Sequence, residues 1–375
     1  MKHSRYADVA VIGAGIVGLA HAYTLAKQGY KVVLFERTER AIGASVRNFG
    51  LIWSVGQPSG ALIERALRAR AVWQTLAKEA GFWCAEVGSL HLAYHDDEAV
   101  VIQEYLRTDA PDTCAWLDAT ATHAKSHAVN PDGLKGALWS SAEMNVDPRQ
   151  AIRALPAYLE RVHGVELRFG TLVTGIAMPY VETASERWHV ERAFVCSGND
   201  FETLYPQAFA DSGITRCKLQ MMRTAPQPNG WQLGACLCAG LTLLHYGAFA
   251  HCESLTALRQ RVQAEVPFYV QEGIHVLVSQ TALGEITLGD HHEYGLTHEP
   301  FDRAEVDEAI LRYLGTFARL PNLHIAERWH GIYPKMTDGS TEFIATPEAN
   351  VTVVNGLGGA GMTLSFGLAQ EVCTG

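Results

Sequence analysis

The sequence lacks the features that mark several whole classes of protein. Its 375 residues include eight cysteines but no C-x-x-C pair, a pattern typical of reduced thiols in a cytoplasmic protein. No basic run stands out and the formal net charge is −10, so nucleic acid is not expected as a partner. The longest early apolar run, residues 9–20, is interrupted by glycine and is too short to span a membrane. A structured motif begins by residue 8, so we expect no signal peptide.

What is present is a globular composition, with 48% apolar and 19% charged residues. The opening segment predicts one βαβ unit. Residues 8–12 form a continuous apolar run, as expected for a strand buried in a parallel sheet. A glycine-rich turn follows, then a helical pattern over residues 16–28, and then a second apolar strand over residues 31–35.

The turn in this unit has the pattern of a dinucleotide-binding site. Gly13 allows a tight turn, Gly15 lets the backbone approach a pyrophosphate, and Gly18 lets the helix pack closely on the strand. The helix N-terminus would offer free N–H groups to the phosphates. Glu36, at the end of the second strand, would accept hydrogen bonds from a ribose. The alternative is a tight turn that binds no ligand.

A second glycine cluster near the C-terminus favours a flavin over NAD. Residues 351–354 predict a short strand, and residues 356–361 contain four glycines before a helix that begins at about Met362. A helix N-terminus at this point could face the pyrimidine end of a flavin, where negative charge collects on reduction. The alternative is a turn in which glycine serves packing alone.

The remaining patterns predict an α/β fold in two parts. Helices are expected over residues 62–80, 147–163, 254–265 and 302–318, strands over 165–169 and 190–196, and antiparallel strands within 233–246 and 274–289. The first part is a discontinuous, Rossmann-like FAD-binding domain with a parallel sheet, over residues 1–80, 145–215 and 332–375. The second is an α+β substrate-binding domain on an antiparallel sheet, over residues 81–144 and 216–331.

Five segments carry a resemblance to a known family. Residues 13–36, 43–50, 288–295, 329–334 and 356–363 lie in the order found in the D-amino-acid oxidase, glycine oxidase and sarcosine oxidase (DAO) superfamily, which this chain resembles over nearly its whole length. Residues 43–50 and 288–295 resemble a narrower branch that is associated with the breakdown of aminophosphonates.

The resemblance implies an oxidoreductase with noncovalent FAD. The substrate C–H next to nitrogen gives a hydride to flavin N5, and the resulting imine hydrolyses. Together with the glycine motif, it implies FAD contacts from Gly13, Ala14, Gly15, Ile16, Val17, Gly18, Glu36, Arg37, Ala44, Ser45, Asn48, Phe49, Gly50, Leu51, Val173, Ser197, Gly198, Gly356, Leu357, Gly358, Gly359, Ala360, Gly361, Met362 and Thr363.

Three positions depart from the pattern of the family. Glycine oxidase-like members carry an arginine for the substrate carboxylate where this chain has Tyr333, so a fork-shaped carboxylate partner is missing there. Sarcosine oxidase-like members attach the flavin through a cysteine, where this chain has Gly331. Those members also use a lysine for oxygen activation, and Thr287 occupies that place, so the electron acceptor is O₂ or another compound.

An anionic substrate head would need cationic or polar partners. The candidates are Arg47, Arg223, Arg328 and Lys335, with Lys218 as a weaker one, and Arg47 is favoured because it lies in the flavin-side loop. The residues expected to line the pocket are His245, Tyr246, His292, Tyr294 and Tyr333. Each alone is more often a solvated or structural residue. The histidines 291, 292 and 298 fit no strong metal-binding spacing, so no metal site is predicted.

These observations lead to one main hypothesis and three alternatives. The main hypothesis is oxidation of the C–N bond of a small amine, an aminophosphonate related to 2-aminoethylphosphonate, with a rate that rises as the amine loses its proton. The first alternative is a glycine, sarcosine or D-amino-acid oxidase or dehydrogenase. The others are a flavin-binding regulatory protein with little turnover and an NAD-dependent dehydrogenase. The sequence leaves the oligomeric state open.

Overall fold

The computed structural model describes residues 3–374. In chain order, the strands are β1 His3–Tyr6, β2 Val9–Ile12, β3 Val32–Phe35, β4 Leu51–Ile52, β5 Cys84–Glu86, β6 Ser89–Ala93, β7 Cys114–Asp118, β8 Gly136–Ser140, β9 Met144–Val146, β10 Glu166–Arg168, β11 Val173–Ala177, β12 Tyr180–Thr183, β13 Glu186–His189, β14 Arg192–Val195, β15 Ile214–Thr224, β16 Cys236–Ala239, β17 Leu277–Gln280, β18 Ile286–Gly289, β19 Glu293–Gly295, β20 Ile325–Met336, β21 Phe343–Ala345 and β22 Val351–Asn355. The α-helices are α1 Ile16–Lys27, α2 Ala61–Ala80, α3 Asp96–Thr108, α4 Ala119–Lys125, α5 Pro148–His163, α6 Pro206–Ala210, α7 Leu255–Glu265, α8 Pro267–Gln271, α9 Ala304–Phe317 and α10 Gly361–Cys373.

A six-stranded sheet holds the first βαβ unit. Its strand order is β10-β3-β2-β14-β22-β21, and every neighbouring pair is parallel except the last. Val9 and Val11 pack on one face against α1, α2, α5 and α10, whereas Ala10 and Ile12 pack on the other face beneath the small sheet β1-β13-β12-β11. The strand is therefore apolar at every position because both faces are covered.

A nine-stranded sheet forms the second part of the molecule. Its order is β19-β15-β18-β17-β16-β6-β8-β7, with β20 paired along β15. All neighbouring pairs are antiparallel except β16 with β6. One face packs on α9 and the other on α3 and α7. The strands β4, β9 and β5 form a separate short sheet.

The predicted fold class is confirmed, and one predicted segment is wrong. Residues 233–246 do not form a long alternating strand. Only β16 is extended, and residues 240–244 turn into a 3₁₀ helix. Gly240 leaves room for the side chain of Glu98, because a Cβ there would lie 2.0 Å from Oε1 of Glu98. The domain boundaries stay a prediction, and β20 runs across the proposed boundary at residue 331.

Local signals placed the helices well. The start predicted for α5 is confirmed, since Asp147 accepts the N–H of Arg149 at 2.9 Å and Pro148 is the first helical residue. Gly164 ends this helix in the left-handed conformation, at φ 67°. Among residues 3–374, no helix combines the length and the apolar composition that crossing a bilayer requires.

Candidate functional site

The first glycine turn joins β2 to α1 with no room for side chains at two positions. A Cβ on Gly13 would lie 2.3 Å from the carbonyl oxygen of Cys196, and Gly13 has a φ of +106°. A Cβ on Gly18 would lie 1.8 Å from the carbonyl oxygen of Gly13. The backbone therefore turns tightly, and the helix sits directly against the strand.

The N-terminus of α1 opens toward a cavity. Its N-cap, Gly15, provides no side-chain cap, and Ser45 supplies one from another segment by accepting the N–H of Ile16 on its Oγ at 2.9 Å. The positive end of the helix dipole and the absence of side chains here suit an anionic ligand such as a phosphate.

Glu36 lies at the end of β3, beside the same turn. Its Oε2 accepts the N–H of Ala14 at 3.1 Å, and its Oε1 accepts the N–H and the hydroxyl of Thr38 at 3.0 and 2.7 Å. The carboxylate is thus held in place where a ribose could donate hydrogen bonds to it.

The second glycine turn meets the first. Asn355 accepts the N–H of Gly356 at 2.9 Å and donates to the carbonyl oxygen of Gly198 at 2.9 Å, which ties β22 to the loop after β14. A Cβ on Gly361, the first residue of α10, would lie 3.8 Å from Cγ2 of Ile16. The N-termini of α1 and α10 are therefore neighbours, although they are far apart along the chain.

Two cavities, of about 400 and 390 Å³, adjoin these turns. They share lining residues and therefore adjoin each other. The shared residues are Ile16, Ala44, Ser45, Arg47, Tyr333, Gly356, Leu357, Gly358 and Gly361. The 390 Å³ cavity (the cofactor cavity) runs along the first turn, and the 400 Å³ cavity (the substrate cavity) extends toward the nine-stranded sheet. An elongated dinucleotide fits along two adjoining cavities.

The structure brings most of the predicted FAD residues to these cavities. The cofactor cavity is lined by Gly13, Gly15, Val17, Glu36, Arg37, Val173, Ser197 and Gly198, and the substrate cavity by Asn48, Phe49, Leu51, Gly359, Ala360, Met362 and Thr363, in addition to the shared residues. Ala14, Gly18 and Gly50 line neither. Gly50 serves close packing, because a Cβ there would lie 1.9 Å from the carbonyl oxygen of Val146.

Of the predicted substrate-binding residues, six line the substrate cavity: Arg47, His245, Tyr246, His292, Tyr333 and Lys335. The other four, Lys218 among them, do not. Arg223 forms an ion pair with Glu327 at 2.6 Å, and Arg328 forms one with Asp307 at 3.0 Å. Tyr294 lies outside the cavity and is 52% exposed.

The two cationic side chains that line the substrate cavity, Arg47 and Lys335, differ in their hydrogen-bond and ion-pair partners. Arg47 donates to the carbonyl oxygens of Ile42 at 2.9 Å and His330 at 3.1 Å, so two of its N–H groups are already used. Lys335 forms no ion pair with any carboxylate of residues 3–374, and its Nζ lies 5.8 Å from the ring centre of Tyr294. Burial raises the pKa of Tyr333 well above its usual value, so this phenol stays protonated.

Sequence reasoning missed several residues of the substrate cavity. His275 and Asp290 line it, as do Trp53, Leu219 and Met221. A polar side chain inside the apolar run 274–278 was the one available signal for His275. Asp290 lies within a segment that the resemblance had already singled out.

Of the three histidines considered for a metal site from the sequence, only His292 meets other histidines. His291 accepts the N–H of Gln220 at 2.9 Å, and His298 pairs with Glu293 at 3.1 Å. His292 instead lies beside His245 and His275, with ring centres 4.6 and 5.2 Å away. Burial lowers the pKa of His292 to about 4, so its ring is neutral at pH 7.

Known proteins resemble this chain in sequence and in fold. A family model described as FAD dependent oxidoreductase (DAO) matches residues 8–374. The chain is 23% identical over 359 residues to the glycine oxidase of Geobacillus kaustophilus, covering 90% of this chain and 84% of that protein. A solved glycine oxidase structure from Geobacillus kaustophilus matches with a TM-score of 0.75 at 19% identity, covering 99% of this chain and 94% of that one. The L-proline dehydrogenase structure from P. horikoshii matches with a TM-score of 0.76 at 19% identity, covering 100% and 94%.

Proposed function

Since this chain belongs to the DAO family of FAD-dependent oxidoreductases, we propose that it oxidises the C–N bond of a small amine with an anionic head, an aminophosphonate related to 2-aminoethylphosphonate. The enzyme class and the FAD cofactor follow from the family, which includes amine-oxidising relatives. The substrate class is the proposal. The observation that carries it is Lys335, a cation on the substrate cavity without a carboxylate partner among residues 3–374.

The chemistry of the cavity supports a phosphonate better than a carboxylate. A carboxylate is best held by the two parallel N–H groups of an arginine, and Tyr333 stands where the family has that arginine. Two N–H groups of Arg47 already donate to backbone carbonyl oxygens and are not free for a carboxylate in this conformation. A lysine is a point charge that needs no fork geometry, and it suits a rounded, multiply charged oxyanion.

In the proposed reaction, the residues of this chain bind and orient the cofactor and the substrate, and they exclude water from the cavity. When bound, FAD accepts the hydride from the carbon next to the substrate nitrogen. The N-termini of α1 and α10 would hold the pyrophosphate and the pyrimidine end, and Glu36 would hold the ribose. Lys335 would orient the anionic head. Leu219, Met221 and Leu277 give the cavity an apolar wall that keeps water from the reacting carbon.

Two further features belong to the proposal. Gly331 lines the substrate cavity and offers no atom for a covalent link, so we infer that FAD is held without one. The partners are the amine and an electron acceptor, O₂ or another compound. All eight cysteines are free thiols, which supports a cytoplasmic, reducing location.

A second candidate function rests on Arg47. This residue lines both cavities, and a modest rotation would free its guanidinium for a carboxylate. The chain would then be a glycine, sarcosine or D-amino-acid oxidase or dehydrogenase.

The test is flavin reduction without oxygen. Purified yellow protein is mixed with amines that carry a phosphonate, a carboxylate or no acidic group, and the loss of flavin absorbance is followed. We expect 2-aminoethylphosphonate or its N-alkyl or 1-hydroxy derivatives to reduce the flavin fastest. Reduction by glycine, sarcosine or D-amino acids but by no phosphonate would favour the second candidate.

A further inference from the structure

Three histidines from separate segments meet on the wall of the substrate cavity. His245 follows the 3₁₀ turn after β16, His275 precedes β17, and His292 precedes β19. One ring nitrogen from each lies within 4.8 Å of the other two. The ring centres are 3.8 Å apart for His245 and His275, 4.6 Å for His245 and His292, and 5.2 Å for His275 and His292.

The hydrogen bond of one ring fixes its tautomer. Nδ1 of His292 lies 2.9 Å from the carbonyl oxygen of Gly273. A carbonyl only accepts, so Nδ1 carries the proton, and Nε2 has a free lone pair. A backbone carbonyl that holds the second nitrogen of an imidazole is the usual support of a metal-binding histidine.

Other polar atoms of this cluster have no partner. Both ring nitrogens of His275 and Oδ1 of Asp290 form no hydrogen bond within the described chain, although these residues are only 3% and 4% exposed. Nε2 of His275 lies 3.5 Å from Oδ1 of Asp290. Buried polar atoms are nearly always satisfied in folded proteins, so these atoms are available to a ligand in the cavity.

We propose that His245, His275 and His292 bind one divalent transition-metal ion, of which Zn²⁺ is the representative. Imidazole nitrogens suit this class of ion, and three of them leave a fourth coordination position open. Two imidazoles on one tetrahedral zinc have ring centres about 5 Å apart, close to two of the three observed distances. His245 would have to move away from His275 by roughly 1 Å to complete the geometry.

Asp290 lies beside this cluster, with its Oδ1 3.5 Å from Nε2 of His275, and it also lines the cavity. Its carboxylate would offset part of the charge of the ion. The positive charge of Lys335 would repel the metal ion. Asp290 is the only residue of the described chain that brings a carboxylate to the lining of the substrate cavity. An oxygen of the anionic substrate could take the place of the Asp290 carboxylate at the metal ion, a consequence that rests on the proposed function.

An oxyanion is the competing occupant, and the tautomer of His292 argues against it. The lone pair on Nε2 of His292 would face the negative oxygens and repel them, whereas it would donate to a metal ion. Lys335 would still attract an oxyanion to the adjoining part of the cavity.

The experiment measures metal binding to the FAD-loaded protein without substrate. Protein freed of metal by a chelator is titrated with Zn²⁺ in a calorimeter, and bound zinc is counted after gel filtration. We expect one zinc per chain, and at least tenfold weaker binding in His275→Gln and in His292→Gln. His189→Gln, at an exposed position on β13, is the matched control and should bind as the wild type does.

A second measurement needs no variant, in case a substitution prevents folding or FAD loading. Co²⁺ added to the FAD-loaded protein should give the visible bands of a tetrahedral nitrogen-ligated ion, read as a difference spectrum. Wild-type protein that takes up neither Zn²⁺ nor Co²⁺, or variants that bind as tightly as the wild type, would overturn the proposal. Amine oxidation by wild-type protein that takes up neither ion would leave the proposed function standing while the metal site fails, and zinc binding without phosphonate oxidation would do the reverse.

Discussion

The Oγ of Ser45 accepts the backbone N–H of Ile16 at 2.9 Å and so caps α1 from a segment outside the helix. The first turn of a helix has N–H groups without partners inside the helix, and this hydroxyl satisfies one of them. The same residues line both cavities, so the cap also fixes the place where the cofactor and substrate cavities join.

Ser45→Ala should therefore weaken both the fold and cofactor binding. Loss of this cap is expected to lower the free energy of unfolding by about 1 kcal/mol and FAD affinity by about fivefold. Denaturant unfolding and fluorescence titration with FAD measure the two effects. Ser4→Ala, on an exposed strand, is the control. Equal FAD affinity in Ser45→Ala and wild type would show that this contact does not shape the cofactor site.

Gly18→Ala should be far more damaging than its size suggests. The added Cβ would lie 1.8 Å from the carbonyl oxygen of Gly13, so β2 and α1 would have to separate. We expect a loss of about 3 kcal/mol or more of stability and loss of bound FAD. Gly315→Ala, at an exposed position of α9 with no atom within 4 Å of the new Cβ, should stabilise by about 0.5–1 kcal/mol. A stable, yellow Gly18→Ala protein would contradict this account.

Lys335→Met should separate substrate binding from turnover. The charge of Lys335 is expected to hold the anionic head, so its loss should raise KM for an aminophosphonate about tenfold and change kcat less than twofold. An amine without an acidic group should be unaffected. Lys78→Met, on the exposed face of α2, is the control. An equal rise in KM for charged and uncharged amines would show that the effect is not electrostatic.

His91 should make the fold sensitive to acid. This ring is fully buried between the rings of Trp53 and Phe249, and burial lowers its pKa to about 3. Because the unfolded chain takes up the proton at about pH 6.5 and the folded chain does not, stability falls as pH drops from that value toward 3. His91→Phe should lose about 2 kcal/mol less than wild type between pH 7 and pH 5.

Denaturant unfolding at the two pH values measures this difference. Phe249→Leu alters the packing around the same ring without removing a titratable group. Its free energy of unfolding should lie below that of the wild type by the same amount at pH 7 and at pH 5. If His91→Phe lost as much stability between pH 7 and pH 5 as the wild type does, the acid sensitivity would come from other buried histidines.

The local parts of the fold could be predicted, and the substrate cavity largely could not. The helix start at Asp147 and the βαβ unit around Gly13 depend on residues within a few positions of one another. Arg223 and Arg328 looked equally suited to bind an anion in the sequence. The pairing of β15 with β20 places Arg223 beside Glu327, and the packing of α9 on this sheet places Asp307 beside Arg328, so both arginines are neutralised.

By itself, the sequence determined the cofactor end of this protein. This end consists of a strand, a turn of spaced glycines, a helix and an acidic residue at the end of the next strand. Their geometry depends on residues close together in the sequence, because sterics and helix capping act over short distances. Only the tertiary structure decided the substrate end. The meeting of Gly361 with Ile16, and of His275 with His245 and His292, depends on the order of strands in two sheets and on how those sheets pack. Contacts of that kind depend on long-range packing that no local pattern records.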